Sequence, residues 1–120
     1  MFLPIHPTEE MYNCGNSNVM KMVLEALKKQ ILFSIHAHRQ MDARGITTDE
    51  VLEALSAAEL VEDYPDDPRG HSCLLLGRTE SGRPLHIICA PRDKGLIVIT
   101  VYEPSPLEWE ENLKTRRRRA

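Results

Sequence analysis

His36 and Arg39 stand three residues apart in a stretch that reads as the start of a helix capped by Ser34. On such a helix both side chains project from one face. The helix dipole and the unpaired N–H groups of the first turn favour an anion there and disfavour an imidazolium. A neutral histidine beside an anion site is what a general base working near a phosphate requires. The structural alternative is that both are surface residues, or that His36 packs under a sheet. Arg44, in the last turn of the same helix, either joins the anion site or only complements the helix C-terminus.

A second group comes from strand parity. If the turn at 92–95 pairs residue 86 with residue 100, then His86, Thr100 and Tyr102 share a sheet face, and a slip of one residue breaks the grouping. Thr100 and Tyr102 are also ordinary β formers. Metal binding fits poorly. His36 and His38 are about 200° apart on a helix, His86 and Cys89 point to opposite faces of a strand, and no C-x-x-C or H-x-x-x-H spacing occurs. No metal and no cofactor are assigned, and a P-loop, a dinucleotide fingerprint and a nucleophile elbow are absent. Cys73 and Cys89 read as small core residues. The terminal Arg116, Arg117, Arg118 and Arg119 either clamp phosphates or form a solvated tail.

The elements that must position these residues follow from periodicity. Residues 1–17 carry Pro4 and Pro7 with no period and read as an irregular arm. Val19, Met22, Val23, Ala26 and Leu27 give an apolar helical face from Asn18 onward. Ile31 to Phe33 reads as a short strand, and a helix from Ile35 to Arg44 is closed by Gly45 with Ile46 as its apolar contact. Thr47-Thr48-Asp49-Glu50 opens a third helix with a capping box. Leu60 to Tyr64 follows as a strand, and then Ser72 to Thr79, Pro84 to Ala90 and Leu96 to Glu103 as a meander. Leu107, Trp109, Glu110 and Leu113 suggest a short C-terminal helix. The predicted class is α+β, with N-terminal helices packed on a twisted antiparallel sheet of about four strands. One domain spans 18–113, and a basic tail spans 114–120.

With 120 residues, 42% apolar and 28% charged, the composition allows one core and excludes a disulfide scaffold or a wholly disordered chain. No apolar run exceeds four residues, so nothing spans a membrane, and three widely spaced cysteines point to a reducing cytoplasm. The net charge of -3 conceals an asymmetry: eight acidic residues and no Lys or Arg lie between Asp49 and Asp67. The other ten of the 18 acidic residues share the rest of the chain with all 15 basic ones, a local excess of +5. The acidic block is either a solvated face or a surface for a basic partner.

His36-Ala37-x-Arg39-x-Met41-x-x-Arg44-Gly45-Ile46, Val61-Glu62-Asp63-Tyr64-Pro65, Gly82-Arg83-Pro84-Leu85-His86 and Ile99-Thr100-Val101-Tyr102 together give a specific pattern. Over about Ile31 to Trp109 the chain resembles the prokaryotic domain of unknown function 4258 family, itself similar in element order to the RelE-like toxin RNases. That resemblance implies a RelE-like fold and a metal-independent endoribonuclease of toxin–antitoxin type that cleaves RNA through 2′-OH attack. It implies RNA as substrate, ribosome-associated mRNA included, and a cognate antitoxin protein as partner. His36, Arg39, Arg44, His86, Thr100 and Tyr102 would form the catalytic group, with Arg83 and the terminal arginines on RNA. The competing expectation is a non-catalytic protein-interaction module.

Overall fold

A computed structural model describes residues 18–118. Helix α1 (Asn18–Leu27) buries Val19, Met20, Val23, Leu24, Ala26 and Leu27, and strand β1 (Ile31–Phe33) follows it. Helix α2 (Ile35–Arg44) begins where the Ser34 hydroxyl accepts the Ala37 N–H at 3.0 Å. It ends at Gly45, whose φ of 64° lets the Ile46 N–H return to the Met41 carbonyl at 2.9 Å. Helix α3 (Thr48–Leu55) carries the predicted capping box, with Thr47 and Glu50 serving each other's backbone N–H groups.

Strands β2 (Glu59–Tyr64), β3 (Ser72–Arg78), β4 (Pro84–Arg92) and β5 (Gly95–Tyr102) complete the described elements. The sheet is five-stranded in the order β1-β5-β4-β3-β2, and β1 runs parallel to β5 while the other pairs are antiparallel. The expected antiparallel sheet of about four strands is therefore a mixed one of five. The three-residue β1 contacts a partner more than sixty residues later, a pairing that local pattern does not encode.

The helices cover one face. Ala37 and Met41 of α2 and Val51, Ala54 and Leu55 of α3 join Cys73, Leu75, Leu85, Ile87 and Cys89 in a single buried cluster. Gly77 lets α3 come down onto β3: a Cβ there would stand 1.9 Å from the Ala54 carbonyl oxygen. In β5 the core residues are Leu96, Val98 and Val101. Even and odd positions share that face because the register slips between Ile88 and Cys89, a bulge that resets the alternation.

The expected C-terminal helix does not form. Pro104 and Pro106 end β5, and the chain crosses the helix-free face of the sheet as turns, with a bridge between Trp109 and Arg116. The Glu110 N–H donates to the Thr115 carbonyl at 2.8 Å, and Leu113 turns the chain at a φ of 61°. Leu107 is 87% exposed while Trp109 is buried, so the apolar side chains of this stretch do not share the helical stripe their spacing suggests.

Candidate functional site

The helix-free face is organised in rows of registered residues. Glu59, Leu76, His86 and Tyr102 form one row across four strands, and Glu62, Leu74, Ile88 and Thr100 form the next. His86 pairs with Tyr102 and not with Thr100, yet all three remain on one face, because the shift from the expected register is two residues. Glu59 and Glu62, three apart, also share this face. A bulge between Leu60 and Glu62 makes that possible, where strict alternation would send them to opposite sides.

His86 is fully buried. Its Nε2 lies 2.7 Å from the Leu113 carbonyl and its Nδ1 3.1 Å from the Tyr102 hydroxyl. A carbonyl only accepts, so Nε2 carries the proton, and the Tyr102 hydroxyl donates to Nδ1. Both nitrogens are satisfied by a neutral ring. Burial pushes the imidazole pKa down, with the Leu113 carbonyl and Glu62 opposing in part. Trp109 and Tyr102 meet the ring edge-on, with centroids 4.5 and 5.3 Å away. Burial also raises the Tyr102 phenol, which stays protonated at neutral pH.

Part of the acidic block pairs with basic side chains of the same chain. Arg116 grips Glu62 with two bonds of 2.8 and 3.0 Å and lies 4.7 Å from the centre of the Trp109 ring. That guanidinium is the main cause holding the Glu62 carboxyl below its usual range. Tyr64 also donates to Glu62, and burial with this bond pushes its phenol up to about 12. Lys114 binds Glu59 at 2.9 Å, and Arg117 donates to the Pro106 carbonyl at 2.6 Å. Arg116 and Arg117, expected on RNA or in solvent, thus fasten the C-terminal segment. Arg118 is exposed, and Arg119 lies outside the described residues, as does the expected arm at 1–17.

Arg83 is also engaged. It donates to the Arg44 and Gly45 carbonyls at 3.1 and 3.0 Å, to Glu50 at 3.2 Å, and to Glu103. It therefore ties the end of α2 to α3 and to the end of β5, a role distinct from the expected RNA contact.

His36 and Arg39 behave differently. Both are exposed, and neither makes a side-chain hydrogen bond or ion pair among the described residues. Gln40 reaches from α2 to accept the Val101 N–H at 3.3 Å, so α2 flanks the edge of β5 beyond the stretch, Leu96 to Val98, that β1 pairs. His36 stands one turn before Gln40 on the same stripe. The Arg44 side chain is exposed at the far end of the helix. Two groups result: His36, Arg39 and Arg44 on α2, and His86, Thr100 and Tyr102 on the helix-free face, joined through the edge of β5 and by no direct bond. Parity pointed to the second group. Glu62, Trp109, Leu113 and Arg116, which complete it, were not legible in the spacing.

Among the described residues no group of three His, Cys, Asp or Glu side chains is arranged to hold a metal ion, and no helix is long and apolar enough to cross a membrane. The family model described as a domain of unknown function, DUF4258, matches residues 33–103, which is more than half of the chain. No curated protein and no solved structure matches.

Proposed function

From the premise that the chain belongs to the DUF4258 family, we propose that it is a metal-independent endoribonuclease of toxin type, with a site at the edge of β5. The observation that carries this reading is the pair of exposed side chains His36 and Arg39, without a side-chain partner among the described residues, on the helix flanking that edge. In this reaction His36 removes the proton from a ribose 2′-OH, which attacks the adjacent phosphorus. Arg39, with Arg44 further along α2, offsets the charge that develops on the phosphate oxygens. The ribose itself supplies the nucleophile, which restricts the substrate to RNA. Tyr102 stacks on a base, and His86 acts by holding the phenol. His86 is thus a positioning residue, since its buried ring has no free nitrogen for a substrate.

The wider setting proposed is cytoplasmic RNA as substrate, ribosome-bound mRNA included, and a small antitoxin as partner, on a RelE-like arrangement of the fold. A second reading, a non-catalytic protein-interaction module, is favoured by the saturation of His86 and Arg83 with intramolecular bonds. Incubating the purified protein with RNA in EDTA separates the two. The nuclease reading expects 2′,3′-cyclic phosphate ends and a rate loss of about 100-fold or more in His36→Ala. Uncut RNA, or cleavage indifferent to His36→Ala, overturns it in favour of the module.

A further inference from the structure

Cys73 and Cys89 are register partners on the neighbouring antiparallel strands β3 and β4, both thiols are free and fully buried, and their sulfurs lie 3.8 Å apart. Directly opposed residues of an antiparallel pair have Cα atoms about 4.5 or 5.5 Å apart. Both spacings fall within the range a disulfide spans, about 4.4–6.8 Å. The sulfurs already touch, so bond formation asks for side-chain rotation and a small approach, with the ladder kept. We infer that Cys73 and Cys89 form an oxidisable dithiol, a modification site at which a peroxide converts the two thiols to a disulfide that staples β3 to β4.

The chemistry balances with one peroxide per pair. One sulfur attacks the O–O bond and becomes a sulfenic acid as water leaves. The second thiol then displaces that hydroxyl as a second water, and the two electrons lost by sulfur reduce the peroxide. The neighbouring Cys73 sulfur, with burial, holds the Cys89 thiol well above its ordinary pKa, so attack waits on local opening of the strands and the reduced pair persists in a reducing compartment. The position has a structural consequence. Cys89 is also the register partner of Val98, whose carbonyl accepts the Ser34 N–H at 2.9 Å. The staple would therefore stiffen the strand pair beneath the start of α2.

The test uses the full chain with Cys14→Ser, leaving two thiols. After treatment with hydrogen peroxide, the folded protein should lose two hydrogens in mass and resist alkylation when unfolded without reductant. Peptide mapping should link Cys73 to Cys89. The oxidised form should melt about 10 °C higher than the reduced one, as expected for closing a loop of this length, and return on reduction. Two alkylatable thiols, sulfinic acid at either position, or only disulfides between chains would overturn the inference. Cys73→Ala provides a second reading: it must remove the peroxide-dependent shift in melting while circular dichroism shows an unchanged fold. A shift that survives in Cys73→Ala also overturns it.

Discussion

Arg83 Nη1 lies 3.2 Å from Glu50 Oε2, and Oε1 of the same carboxylate receives the Thr47 N–H at the α3 capping box. One side chain thus couples a helix start, a helix end and the β3–β4 turn. Both partners lower the Glu50 pKa, the Thr47 backbone bond more than Arg83.

Arg83→Ala should destabilise the fold by about 2–3 kcal/mol, because the α2 carbonyls and the partly buried Glu50 lose a charged donor together. Arg83→Lys should recover little, since an ammonium cannot reach all these acceptors in the geometry of a planar fork. Urea unfolding measures both. A loss below about 0.5 kcal/mol in the alanine variant would place Arg83 among ordinary surface cations.

His86 predicts a pH dependence. Its folded pKa lies below its unfolded value, so the unfolded chain binds the proton more readily. Stability from the neutral ring is present in full above about pH 6.5 and is lost as the pH falls below it. Unfolding free energies measured between about pH 7.5 and 5 should fall in the native sequence and fall less steeply in His86→Gln. Equal slopes would contradict the burial assigned to this ring.

Asp67 titrates lower. Its carboxylate accepts the Arg69 N–H at 3.0 Å and the Ser72 hydroxyl at 2.8 Å, and these bonds, the backbone one first, bring its pKa down to about 2. The stability it contributes is complete above about pH 4 and disappears as the pH drops toward 2. Asp67→Asn should flatten the acid limb of the stability curve over that interval.

Gly77→Ala should cost about 3 kcal/mol or more, because the added methyl overlaps the Ala54 carbonyl and α3 must lift from β3. A melting temperature within a few degrees of the native value would mean that α3 can shift freely, against its buried contacts.

The C-terminal segment divides into an anchor and a clasp. Trp109→Ala should cost about 3–5 kcal/mol through the cavity it leaves beside His86. The Arg116–Glu62 pair is partly exposed, so a double-mutant cycle should return a coupling of only about 1 kcal/mol, weakened by salt.

Much of the framework was legible because it rests on contacts close in sequence. Ser34, Gly45, Thr47 and Glu50 mark helix ends through bonds spanning three to five residues, and the structure places those ends as the caps predict. The meander was legible in the same way, since its turns join adjacent runs of apolar residues. Of the candidate site, the sharing of a face by His86, Thr100 and Tyr102 followed from alternation. The exposure of His36 and Arg39 did not, because it depends on which side of α2 meets the sheet.

The composition and local patterning of the chain determined its class, the capped ends of α2 and the start of α3, and the uneven distribution of charge that the net value of -3 conceals. Tertiary structure alone decided where that charge goes. Two bulges, after Leu60 and after Ile88, reset the alternation so that Glu59 joins Glu62 on one face and Val98 joins Val101 on the other. The unpaired residues at these bulges, Val61 and Ile99, are ordinary β formers with no glycine to mark them, so the sequence of β2 cannot reveal that Glu59 and Glu62 face Lys114 and Arg116. The burial of His86 has the same origin: Trp109 and Leu113 arrive from a segment more than twenty residues later, brought onto the sheet by the fold as a whole.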